Sequence, residues 1–265
     1  MKFTPVFINL IFSLPLCAFA QGIPPSLEIE RVQGTINVVI RNVGATPMTA
    51  CVLTYCQVLQ QNGKQHEVSG RNVFDVVTNP NHKVIAPGGT YLIKLGVRDA
   101  AADPNVQIRG GLYEDGSAFG DTGWVGLIRK RRSAFLESST SALEDFSAAT
   151  SNSRSSLDSA SMMKTALSRR MAALGDESQK AQADASGVSS GKVSPFDADT
   201  PAERSARLAL LASQDHANAV NAVYSALIQN LKTPPTSNGS PVDFWQTINI
   251  LRTKLTQDIS RLRSQ

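Results

Sequence analysis

Between residues 27 and 115 apolar and polar positions alternate, and beyond residue 121 the apolar positions return every third or fourth residue. The first period is that of half-buried strands and the second that of amphipathic helices. The change falls inside VQIRGGLYEDGSAFGDTGWVGLIRKRRSAF, residues 106–135. Val106 to Tyr113 reads as the last strand of the β part. Asp115-Gly116 and Gly120-Asp121 are turn signals. The helical period starts at Asp121, so the chain reads as α+β: a β part followed by a helical part.

In the β part, Ile36, Val38 and Ile40 form one face of TINVVIRN. Residues 42–47 (NVGATP) are a turn cluster, and residues 48–59 are the next strand, rich in residues that favour extended backbone. Asn62-Gly63 is a hairpin signal. Residues 73–77 form a short apolar strand ended by Asn79-Pro80-Asn81. Pro87-Gly88-Gly89 separates residues 83–85 from residues 90–97, and residues 100–104 form a polar loop before the last strand. Strands at this spacing, with turn residues between them, point to an antiparallel sandwich.

The runs INVVIRNVGATPMTACVLTY, IAPGGTYLIKL and GGLYEDGSAFGD resemble immunoglobulin-like β-sandwich domains of exported bacterial proteins. The resemblance implies a sandwich over residues 21–120 and a habit of binding other molecules. It carries over no functional residue. The Cys…Trp…Cys signature of antibody domains is absent, so that type of core is not implied.

In the helical part, Asp121 or Thr122 can cap a first helix. Its apolar stripe includes Trp124, Ile128, Phe135, Ala142, Phe146, Ala149, Leu157, Leu167, Met171 and Leu174. Between residues 138 and 161 the stripe is thin, and serine and alanine dominate. Residues 121–174 therefore form either one helix, which would be about 80 Å long, or two helices broken near residues 151–156. Residues 175–199 are polar, small and Gly/Ser-rich, and read as a flexible linker. Thr200-Pro201-Ala202-Glu203 combines a capping box with proline at the first helical position. Two amphipathic helices follow within residues 200–265, read as an antiparallel pair. With the helix after Asp121 they make a long-helix or three-helix region.

The N-terminus changes the picture of the compartment. Lys2, an apolar core over residues 6–16 and Ala18-Phe19-Ala20 before Gln21 have the layout of a secretory signal peptide spanning residues 1–20 and cleaved after Ala20. The chain is expected to be periplasmic or secreted, with no membrane span. The formal charge of +4 falls by one without Lys2, too little to imply nucleic-acid binding. Export permits a disulfide between Cys51 and Cys56. Five residues of extended strand cover about 17 Å and put the two side chains on opposite faces, so two buried thiols are expected unless the segment bends.

Candidate chemistry is sparse. Ser161-Met162-Met163-Lys164 matches S-x-x-K, the nucleophile motif of penicillin-recognising enzymes, without the partner motifs. His66, His82 and His216 do not share a metal-binding spacing. Glu114, Asp115 and Asp121 around Gly116 and Gly120 suggest oxygen ligands for Ca²⁺ but lack the spacing of a dedicated loop. Arg129, Lys130, Arg131 and Arg132, following Trp124, form the densest positive run. It can contact anionic envelope surfaces weakly, or pair with Glu114, Asp115 and Asp121. No catalytic, cofactor-binding or metal-binding residue is assigned and no cofactor is expected. Glu114, Asp115, Asp121, Trp124, Arg129, Lys130, Arg131 and Arg132 are the candidate interaction residues.

The expectation is an exported, non-catalytic interaction or structural protein of the cell envelope, its partner an envelope protein or a second copy. The alternatives are an exported hydrolase of cell-wall or glycan material with its site between Glu114 and Trp124, and an ion- or ligand-binding module.

Overall fold

The computed structural model describes residues 22–32, 35–61, 64–79, 81–95, 104–151, 153, 155–187, 200–233, 236–237, 240–241 and 243–264. The expected signal peptide, the Asn62-Gly63 turn and most of the 100–104 loop lie outside them. Seven strands come first: β1 (Ser26–Val32), β2 (Thr35–Arg41), β3 (Met48–Gln61), β4 (Lys64–Asp75), β5 (Thr90–Leu95), β6 (Asn105–Tyr113) and β7 (Ala118–Gly120). They form two antiparallel sheets, ordered β1-β2-β5 and β4-β3-β6-β7. Alternation dictates the faces. Ile36, Val38 and Ile40 of β2 and Ile93 and Leu95 of β5 meet Met48, Cys51 and Leu53 of β3, with Phe74, Tyr113 and Phe119, in one apolar core between the sheets.

Two strand assignments change. Residues 73–77 are not a separate strand: β4 runs continuously from Lys64 to Asp75, paired with β3 along its whole length. Residues 83–85 contribute only a single bridge, Ile85 to Met48. The β part also has one strand beyond the expected last one. Asp115-Gly116 turns the chain so that β7 pairs with β6. Gly116 takes φ +82° in that turn; Gly120 ends β7 with φ +86°, and a Cβ there would sit 2.4 Å from the Arg109 carbonyl oxygen. Only glycine fits so close an approach at that dihedral.

Four helices follow: α1 (Thr122–Ser151), α2 (Ser156–Gly187), α3 (Pro201–Lys232) and α4 (Phe244–Arg263). Short strands β8 (Thr236–Ser237) and β9 (Ser240–Pro241) pair between α3 and α4. The first helical region is thus two helices, α1 ending at Ser151 and α2 starting at Ser156. Among the described residues the helical part has four helices: residues 121–174 take the two-helix option, and the three-helix region is corrected.

The linker expected at residues 175–199 is corrected over its first part, because α2 continues to Gly187, and the rest of it lies outside the described residues. Glu177, Gln179, Lys180, Ala181 and Gln182 are good helix formers even without an apolar stripe. Leu174 packs against the bundle core and Ala181 is buried, which holds the extension down. The expected α3–α4 pair is also corrected. α3 packs chiefly along α2 and α1, and α4 packs chiefly on α1. The bundle core joins Ala142, Phe146 and Ala149 of α1 to Met163 of α2, Tyr224, Leu227 and Leu231 of α3, and Ile248, Leu251, Leu255 and Ile259 of α4.

Helices and sheets share a further apolar layer. The outward face of β3 and β6 gives Ala50, Val52 and Leu112. These pack against Trp124, Val125, Leu127 and Ile128 of α1, flanked by Leu208, Leu211 and Ala212 of α3. The order of layers is therefore sheet, sheet, helices. No helix among the described residues is long and apolar enough to cross a membrane.

Candidate functional site

The basic run on α1 splits by helical geometry, since four consecutive residues point around the whole axis. Arg132 is turned inward. Its Nε and one terminal nitrogen donate to the two carboxylate oxygens of Asp75, at 3.2 and 3.1 Å, and that nitrogen also donates to Thr49 Oγ1 at 3.2 Å. Asp75 is 1% exposed and also accepts the Val77 N–H at 2.9 Å. Arg131 donates to Asp215 of α3 at 2.9 Å and to Thr78 Oγ1 at 3.3 Å. Asp215, equally buried, is gripped on both oxygens by Arg71 of β4 at 2.8 and 3.0 Å. A chain of buried charges thus ties β4 to α1 and α3. Burying a carboxylate in this way is tolerable only because each oxygen is paired.

The expected partners of the basic run are corrected accordingly. Arg131 and Arg132 pair with Asp215 and Asp75, which the short-range reading left out because they lie far along the chain. Arg129 and Lys130 are exposed.

Asp121 caps α1 by accepting the Gly123 N–H at 2.9 Å, and its other oxygen accepts from Arg204 of α3 at 2.8 Å. Asp115 accepts from the Ser117 N–H and hydroxyl and from Thr46 Oγ1. The Ser117 bonds hold its carboxyl below the usual carboxylate range. Trp124 is buried under the sheet, with the Arg109 guanidinium 5.9 Å from its ring. Glu114, Arg129 and Arg132 do meet, on the wall of a polar pocket of about 290 Å³ that also includes Ser133 and, from the end of α4, Leu262. Asp115, Asp121 and Trp124 are not on that wall.

Other motifs resolve into local structure. Ser161 and Lys164 lie on an exposed face of α2, away from the groove and the polar pocket. The His82 ring stacks on Phe74. Its Nδ1 accepts the Asp75 N–H at 3.3 Å, and its Nε2 lies 3.1 Å from Tyr91 Oη. His216 lies 3.9 Å from Glu137. The His66 side chain is outside the described residues. Cys51 and Cys56 are thiols and do not form a disulfide, and burial between the sheets pushes the Cys51 thiol up to about 12. Among the described residues, no three His, Cys, Asp or Glu side chains cluster to hold a metal ion.

The feature that sequence reasoning missed is a groove of about 230 Å³ between α3 and α4. Its floor is Phe135 and Ser139 of α1, its walls include Val223 and Leu227 of α3 and Leu251 and Leu255 of α4, and Val77 and Thr78 of the turn after β4 also line it. Lys254, Asp258 and Arg261 edge it from α4. The groove exists because α3 and α4 each lean on α1 rather than on each other. The amphipathic spacing of both helices was legible, but the angle between them was not.

No protein-family model matches this chain, and neither curated proteins nor solved structures give a significant match.

Proposed function

We propose that this is an exported, non-catalytic binding or structural protein of the bacterial cell envelope, in which the β part serves as a rigid head and the helices carry the contact surface. The observation that carries the reading is the groove between α3 and α4. It is an apolar concavity among α1, α3 and α4, the first two tied to β4 by ion pairs, and preformed apolar concavities with few polar groups are the usual form of a binding site. Export rests on the pattern of residues 1–20 alone.

The reading includes an immunoglobulin-like topology for the β part. The strand order supports it. Taken in sequence as A, B, C, C′, E, F and G, the strands give A-B-E in one sheet and C′-C-F-G in the other, which is the division of that sandwich family without its D strand.

The hydrolase alternative draws less support from the geometry. A general acid needs a carboxyl held above its ordinary range. Asp115 is held below it by Ser117, and Asp121 is engaged as a helix cap and an Arg204 partner. The ion-binding alternative would draw on the same residues.

A photocrosslinker at exposed Ala226, on the groove wall, tests the proposal in the producing cell. One discrete crosslinked species is expected, and none from the same probe at exposed Lys130. Equal labelling from both positions contradicts it. So does turnover of a cell-wall or glycan substrate that is lost on Asp115→Asn or Asp121→Asn with the fold retained.

A further inference from the structure

The polar pocket beside the end of α4 gathers opposite charges that do not meet. Glu114, just after β6, and Arg129 and Arg132 of α1 all line it. Arg132 is nine-tenths buried. Its Nε and Nη2 are spent on Asp75 and Thr49. The other terminal nitrogen, Nη1, has no acceptor among the described residues and still touches solvent. The polar pocket is the opening that Arg132 lines. Arg129 and Glu114 are exposed, and among the described residues neither forms an ion pair. Asp75 already balances Arg132, so Arg129 and Glu114 leave the pocket with one charge of each sign and no net charge. Leu262 and Ser264 bring the C-terminal end of α4 to the same wall, and the unbonded carbonyls of a last helical turn favour a cation. Leu136 and Leu262 give the pocket an apolar side. Its volume, about 290 Å³, lies just below the range of pockets for drug-sized ligands.

We infer that this pocket binds a free zwitterionic α-amino acid with an aliphatic side chain. The carboxylate accepts from Arg129 and from Arg132 Nη1. The ammonium donates to Glu114, near the end of α4, and the side chain lies against Leu136 and Leu262. Bonds in which both partners are charged are the strong ones, and a ligand carrying both charges on one carbon answers both groups at once. The inference goes beyond the reading of the α3–α4 groove and does not depend on it.

Isothermal titration of the full protein with L-leucine and D-leucine at neutral pH tests this. Saturable one-to-one binding of at least one enantiomer is expected. 4-Methylpentanoate, which lacks the ammonium, and 3-methylbutylamine, which lacks the carboxylate, should each bind at least about tenfold more weakly. Arg129→Gln and Glu114→Gln, both at exposed positions, should each weaken leucine about tenfold or more while the melting temperature holds. Ser133→Trp, at an exposed position on the wall, should block binding. Lys130→Gln, exposed and off that wall, should leave it unchanged.

No saturable binding of either enantiomer overturns the inference. Equal binding of 4-methylpentanoate would make the pocket a plain anion site, and equal binding of the amine a plain cation site; either overturns it. So does an unchanged affinity in Arg129→Gln or Glu114→Gln. The crosslink from Ala226 reports on the groove alone, so the two readings can fail separately.

Discussion

The two halves of α1 are one continuous helix made from two different chemistries. Residues 122–135 face a sheet and bury Trp124, Val125, Leu127, Ile128 and Arg132, with Ala134 the one small residue among them. Residues 136–151 face other helices and bury Ser138, Ser139, Ala142, Phe146, Ala149 and Thr150. A sheet face offers broad hollows that large side chains fill, and here it also offers Asp75 for Arg132. A neighbouring helix comes nearer when the side chains at the contact are small, because the interaxial distance depends on them. The hydroxyls in the second half make that possible. Ser138 donates to the Ala134 carbonyl at 2.6 Å and Thr150 to the Phe146 carbonyl at 2.9 Å. A buried serine satisfied by its own helix needs no partner across the interface.

The contrast can be broken most severely on the sheet side. Asp75→Ala leaves the Arg132 guanidinium buried and unpaired, and should cost about 3–5 kcal/mol in denaturant unfolding. The alkaline limb belongs to the sheet side too. The Cys51 thiol is raised from 9.0 to about 12 by burial, so the native state holds its proton more tightly than the unfolded chain does. Its contribution is complete below pH 9 and is lost as pH rises from 9 towards 12, reaching roughly 4 kcal/mol there at about 1.36 kcal/mol per unit. Unfolding of Cys51→Ala across this window should show a shallower decline than the wild type.

On the bundle side, effects come from volume. Ala142 has no exposed surface, so Ala142→Leu should overpack the helices and cost about 1–3 kcal/mol. Removing a self-satisfied hydroxyl should matter least. Ser138→Ala is expected to change stability by no more than about 0.5 kcal/mol, in either direction. A large loss there would mean that the hydroxyl bonds outside its own helix, and that the two halves of α1 are less different than described.

Much of this architecture was legible. The alternation in residues 36–40, the glycine at 120 and the capping box at Thr200 each encode geometry locally, and each is found where the pattern put it: the Thr200 hydroxyl accepts the Glu203 N–H, and Glu203 returns the bond to the Thr200 N–H. The thin stripe over residues 138–161 was harder. Helicity there comes from small residues packing at close range, and periodicity of large apolar residues cannot register that. The extension of α2 past Leu174 was missed because composition weighs polarity, whereas Ala181 and its neighbours need only helix propensity and one supporting surface. The charge partners were missed for a different reason. Asp75 and Asp215 are 57 and 84 residues from the arginines they hold, and such pairs follow from topology. The candidate residues around Glu114 did mark a junction, between β6, β7 and α1. The groove, by contrast, depends on how α3 and α4 diverge.

The central claim is that buried charge and the Trp124 layer make sheets and helices one cooperative body. Equilibrium unfolding of a Trp245→Phe variant tests it directly, because Trp245 is exposed and its removal leaves Trp124 as the indole reporter at the sheet–helix contact. Trp124 fluorescence and helical circular dichroism at 222 nm should lose their native signals in one coincident transition. Two separated transitions, with helical signal surviving after Trp124 is exposed, would contradict the account.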